Sequence, residues 1–200
     1  SHIEAVEDSI CVGGEYEVLD AGGCVVTPGF IDLHRHCDVQ PLLNERFGEL
    51  ESLQGITSVI VGNCGLAPVP YTEKSGADVL NLITPCLGAI TRGNTFSSFG
   101  DYIHALEKGF LNLNFGFLVG TGAVKASVKG FSKAPFSSAE MDSARARLIE
   151  GLRNGAFGAS IGIMYPPECY SSEEEFSSLI APVSDHDGIV CCHMRGEGDS

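Results

Sequence analysis

Thr57-Ser58-Val59-Ile60-Val61-Gly62-Asn63-Cys64-Gly65 decides how this chain folds. Apolar, largely β-branched residues stop abruptly at a thiol flanked by glycines. This is the pattern of a strand buried on both faces that ends in a tight turn. The same pattern recurs on either side. Phe30 to His34 is an earlier apolar run that carries on to His36, and Leu113 to Val119, Phe157 to Ile161 and Ile189 to His193 follow later. Segments of helical periodicity separate these runs, so strand and helix alternate from Pro28 onward. Alternation of this kind predicts an α/β fold of parallel strands joined by crossover helices.

The helices announce their starts. Ser137 with Glu140, and Ser172 with Glu175, fit the capping box, in which each side chain satisfies a free backbone amide. Met141, Ala144, Leu148 and Leu152 then share one stripe up to Asn154-Gly155, and Phe176, Leu179, Ile180 and Val183 share another before Gly188. A helix near Asp101 to Lys108 turns Tyr102, Ala105 and Leu106 inward, and a less regular one between Gly76 and Ile90 is expected to be interrupted by Pro85. Ahead of the alternation, Ile3 to Val6, Tyr16 to Leu19 and Cys24 to Thr27 are β-like runs broken by Gly13-Gly14 and Gly22-Gly23. They predict a piece of a small β module.

Composition narrows the function. With 200 residues, 44% of them hydrophobic and 19% charged, the chain can bury a core of its own. A net charge of −14 with only 12 Lys and Arg argues against nucleic acid and anionic membrane as partners, because both require cationic surface. No apolar run approaches the roughly 18–20 residues of a membrane span. No basic-then-apolar signal region opens the chain, so a cytoplasmic protein is expected. The 8 cysteines include no CxxC pair, and the apolar neighbours of Cys24, Cys86, Cys191 and Cys192 favour reduced thiols in the core. Any metal site must therefore be assembled from distant segments.

Three of the strands close on metal-ligating side chains: His34 and His36, Cys64, and His193. Parallel α/β folds gather the carboxyl ends of their strands at one mouth, where these residues would meet. Strand alternation would also put His34 and His36 on one face with Phe30 and Asp32. The bland reading stands beside this one. An HxH triplet is a weak motif, buried cysteine most often serves as a small hydrophobe, and His193 can be a satisfied core histidine. Arg195, in the charged loop after His193, suits either an anionic substrate or a rim ion pair.

Val26-Thr27-Pro28-Gly29-Phe30-Ile31-Asp32-Leu33-His34-Arg35-His36, followed by Gly62-Asn63-Cys64-Gly65, resembles the amidohydrolase superfamily, in particular its D-aminoacylase (N-acyl-D-amino-acid deacylase) branch. Gly155-Ala156-Phe157-Gly158, Tyr165-Pro166-Pro167 and His193-Met194-Arg195-Gly196-Glu197-Gly198-Asp199 are similar to later motifs of that branch, in the same order. The resemblance implies a (β/α)8 TIM-type barrel, here incomplete at about strands 1 to 5 over residues 28–200, preceded by part of a β-sandwich over residues 1–27. It implies Cys64 and His193 as ligands of a tightly held zinc, His34 and His36 as a second, weaker site, and Tyr165 as a contact of the substrate carboxylate. The expected strand four, Phe157 to Ile161, offers no lysine, which disfavours the subtype that bridges two metals through a carboxylated lysine.

The implied reaction is zinc-dependent hydrolysis of a linear amide, an N-acyl-D-amino acid giving a carboxylate and a D-amino acid. The implied partner is a small-molecule substrate, and an oligomer is compatible with the sequence. A complete barrel takes about 250 residues. The family's further histidine ligand and its proton-shuttling aspartate are not among these 200 residues, so the chain by itself is expected to be inactive. A cyclic-amide hydrolase of the dihydroorotase or hydantoinase kind, and a non-catalytic scaffold that keeps the barrel, are the alternatives.

Overall fold

The computed structural model describes residues 3–10, 13–15, 17–88, 90–196 and 198. The strands are β1 (Phe30–Asp32), β2 (Ile56–Val61), β3 (Asn114–Phe117), β4 (Val119–Gly120), β5 (Gly158–Gly162) and β6 (Ile189–His193). Every pairing among them is parallel, in two sheets ordered β1-β2-β3 and β4-β5-β6. The expected strand Leu113 to Val119 is thus divided. Leu118 alone separates β3 from β4, so a single extended segment closes one sheet and opens the next. Val59, Val61, Phe117, Val119 and Ala159 from these strands share one core with Phe99, Tyr102 and Leu148 from the helices.

The helices are α1 (Gln40–Leu43), α2 (Glu49–Leu53), α3 (Gly76–Leu87), α4 (Phe99–Glu107), α5 (Thr121–Lys129), α6 (Ser138–Arg153) and α7 (Glu173–Ser184). Both capping boxes form, and the expected stripes bury Ala144, Leu148 and Leu152 on α6 and Leu179 and Val183 on α7. In α4, Phe99, Tyr102 and Leu106 are buried. The interruption expected at Pro85 does not occur. Pro85 falls in the last turn of α3, where its missing N–H costs a single intrahelical bond and the Gly88 amide still closes the end on the Thr84 carbonyl (3.1 Å). Helix α5 has no counterpart among the sequence expectations. It is buried from Thr121 to Ser127, including Lys125.

The β-like runs near the amino end pair with nothing among the described residues. Among the described residues, 3–27 form no strand. They are almost all exposed, with one turn closed by the Cys24 amide on the Ala21 carbonyl (2.7 Å). A strand exists only against a partner ladder, and no described residue supplies one to this segment. Tyr16 lies outside the described residues. At the two ends of the paired layer, β1 leaves Phe30 and Ile31 each 60% exposed and β6 leaves Ile189 55% exposed, whereas β4 and β5 are buried throughout. No helix among the described residues is long and apolar enough to cross a membrane.

Candidate metal centre

Beyond Val61 the backbone enters the left-handed region three times in four residues, at Gly62 (φ 73°), Cys64 (φ 58°) and Gly65 (φ 74°). Two of these positions demand glycine for space as well. A Cβ on Gly62 would lie 2.1 Å from the Leu118 carbonyl oxygen, and one on Gly65 would lie 2.1 Å from Glu168 Oε2. Cys64 adopts this conformation with a side chain, which is costly unless the surroundings hold it there. Several bonds hold it. The Gly62 amide donates to Asp38 Oδ1 (3.0 Å), the Asn63 side-chain amide to the Ile60 carbonyl (3.0 Å), the Leu66 amide to the Asn63 carbonyl (2.9 Å) and the Ala123 amide to the Gly65 carbonyl (2.9 Å). The Tyr165 hydroxyl donates to the carbonyl of Cys64 itself.

This turn brings the thiol to the histidines. One ligand atom each from His34, His36 and Cys64 lies within 4.8 Å of the others. Cys64 Sγ is 3.3 Å from His34 Nε2, and the two imidazoles stand edge to face with centroids 5.3 Å apart. The route differs from simple strand alternation, because β1 ends at Asp32 and both histidines sit on the segment that follows. That segment is tied down by the Arg35 amide on the Ile60 carbonyl (3.1 Å), by the His34 amide on Asp32 Oδ1 (3.1 Å) and by the Arg35–Glu51 ion pair.

Burial lowers the pKa of His36, and His34 and His193 lower it further, so its ring is kept neutral with a lone pair to give. Its Nδ1 is buried with no hydrogen-bond partner among the described residues. An orphaned imidazole nitrogen beside a thiol and a second imidazole is a donor set suited to a borderline or soft divalent ion.

Four candidate ligands were expected to converge, and the structure brings three of them together. His193, the last residue of β6, stands outside this group. Its Nε2 lies 3.3 Å from Met164 Sδ and its ring 5.4 Å from that of Tyr165. Burial, foremost, and the neighbouring Cys64 raise the pKa of Tyr165, which keeps its hydroxyl protonated and donating. Arg195 is exposed just past β6, while Glu197 and Asp199 of its motif lie outside the described residues. Strand β5 carries no lysine.

Two buried carboxylates escaped the sequence reading. Asp38 and Glu168 are each 1% exposed, and burial pushes each pKa up to about 7. Glu168 accepts the Gly162 amide on Oε2 (2.8 Å) and lies 2.5 Å from Thr121 Oγ1 through Oε1. The only sequence signal for either was an acid set among apolar neighbours, Cys37-Asp38-Val39 and Pro167-Glu168-Cys169.

Comparison with known proteins bears on this site. The sequence profile described as Amidohydrolase family matches residues 17–88, the stretch that contains His34, His36 and Cys64. A D-aminoacylase of Alcaligenes xylosoxydans xylosoxydans is 34% identical over 181 residues, covering 90% of this chain and 36% of that protein. A solved D-aminoacylase, described for the functional role of its binuclear metal centre with one-metal activation and second-metal attenuation, superposes with a TM-score of 0.73 at 31% identity. It covers 86% of this chain and 35% of its own. The N-acyl-D-glutamate deacylase of Bordetella bronchiseptica, solved with zinc and a phosphonate mimic of the tetrahedral intermediate, gives a TM-score of 0.72 at 28% identity and the same coverage, 86% and 35%. The chain spans about a third of the length of the curated relatives it matches.

Proposed function

Because the chain belongs to the amidohydrolase superfamily, on its D-aminoacylase branch, we propose that it is part of a zinc-dependent enzyme that hydrolyses N-acyl-D-amino acids to a carboxylate and a D-amino acid. The observation that carries this reading is the meeting of Cys64, His34 and His36 behind adjacent parallel strands. In the architecture the reading requires, residues 28–200 form the first strands of a (β/α)8 barrel, with β3 and β4 counted as one, and residues 1–27 contribute to a small β-sandwich.

Cys64 and His193 would hold the tightly bound ion, and His34 with His36 a second, weaker one. Zinc held there supplies Lewis-acid polarisation of the amide carbonyl and acidification of water. The chain's own residues do the rest of what lies within it. Left-handed Cys64 presents its sulfur toward the imidazoles, and His36 stays neutral and so competent to donate. The Tyr165 hydroxyl, kept protonated by its raised pKa, would give up the Cys64 carbonyl as acceptor and donate to the substrate carboxylate instead. Exposed Arg195 offers a guanidinium to the same anion.

The test uses the full-length protein, assayed for amine release from a panel of N-acyl-D-amino acids and analysed for bound metal. Stoichiometric zinc and amine release that both vanish in Cys64→Ala are expected. No amine from any member of the panel, or a Cys64→Ala variant as active and as metal-loaded as the wild type, would overturn the reading.

A further inference from the structure

Ser160 lies at the centre of β5, fully buried and laddered on both sides, opposite Gly120 of β4 and Cys191 of β6. Its hydroxyl leaves its own strand and reaches the turn that carries Cys64. It accepts the Gly65 amide (2.8 Å) and donates to the Gly62 carbonyl, so one oxygen closes both ends of Gly62-Asn63-Cys64-Gly65 across nearly a hundred residues of chain. A hydroxyl has one proton and two lone pairs, which is what this double duty uses. The Ser160 carbonyl is pinned in turn by Thr121 Oγ1 (2.8 Å), which leaves the post little freedom.

We propose that Ser160 is a positioning residue for the thiol ligand: by bridging Gly62 and Gly65 it holds Cys64 in the left-handed conformation that aims Sγ at His34. The proposal rests on Cys64 being a metal ligand and concerns how that ligand is placed. The other bonds of the turn each hold one point, whereas Ser160 sets the distance between its ends. Without that bridge the strained φ of Cys64 relaxes toward the ordinary regions and carries the sulfur away from the imidazoles. Outer residues that orient a ligand commonly change metal affinity by about 10–100-fold.

The experiment loads the full-length protein with cobalt(II), follows the near-ultraviolet sulfur-to-cobalt absorption, and titrates zinc against a chelator. Ser160→Ala is expected to fold, to bind zinc about 10–100-fold more weakly and to show a shifted or weakened sulfur band. Ser127→Ala, which removes another buried hydroxyl (bonded to the Val124 carbonyl at 2.7 Å), should leave both readouts at the wild-type value. If Ser160→Ala does not fold, Ser160→Thr keeps the hydroxyl and is expected to retain the band. Wild-type affinity and band in Ser160→Ala, equal losses in Ser127→Ala, or loss of the band in folded Ser160→Thr would each overturn the proposal. Cys64→Ser separates the two readings. A sulfur band that survives in it defeats ligation by Cys64, whereas a band lost there but intact in Ser160→Ala defeats only the role of Ser160.

Discussion

Cys64 occupies a turn bonded to β5, α5, Asp38 and Tyr165, behind a strand paired on both sides, whereas His193 ends a strand paired on one side and leans on a thioether and a tyrosine ring. Both close parallel strands, yet only the first has joined the histidines that follow β1. A strand end is held in a defined place when side chains from other segments, here Asp38, Ser160 and Tyr165, bond to the turn that follows it. Such preorganisation is what a metal site requires of its supporting shell.

The contrast can be broken most severely at the thiol. Cys64→Ala should weaken zinc binding by more than about 100-fold, beyond the usual loss from an outer-shell change, as read by chelator competition on the full-length protein. Next in size is the backbone beneath it. Gly62→Ala meets a carbonyl oxygen at 2.1 Å in a left-handed conformation, whereas a Cβ on Gly196 meets nothing within 4 Å. Denaturant unfolding should show a loss of about 2–4 kcal/mol for the first and less than about 0.5 kcal/mol for Gly196→Ala.

The buried acids make stability depend on pH. Because Asp38 and Glu168 have folded-state pKa values near 7, above those of the unfolded chain, the folded state holds more protons between about pH 4 and 7. Their contribution is full at low pH and is lost as pH rises through 7. Glu168→Gln should remove part of that slope and gain roughly 1–3 kcal/mol over the wild type at pH 8 relative to pH 5, measured by unfolding at both. The smallest expected effect lies far from the site. Ser137→Ala deletes the cap of α6 and should cost about 1 kcal/mol with zinc affinity unchanged.

The strands and capped helices were legible because their signals are local. Thr57 to Val61 and Ile189 to His193 are dense in β-formers, and Ser137 with Glu140 needs only four residues to define a helix start. Helix α5 was not, since Thr-Gly-Ala-Val-Lys-Ala-Ser-Val-Lys has little apolar stripe and its helix is made by burial against the rest of the fold. The runs at 3–27 show the reverse, β-forming sequence with no described strand to pair with. His34, His36 and Cys64 were found as candidates from residue type and strand-end position, but Ser160, Asp38 and Glu168 were not. Their roles exist only through partners such as Gly62, 98 and 24 positions from Ser160 and Asp38, and no short pattern records such a bond.

Leu118, the one residue between β3 and β4, places its carbonyl against Gly62 so closely that no side chain fits between them. The thiol turn is therefore seated on the seam where the two three-stranded sheets join. A change in tilt of one sheet against the other would press on this turn, two residues before the sulfur, through the Leu118–Gly62 contact. The curvature of the paired layer and the reach of the Cys64 sulfur are in this sense a single mechanical coordinate.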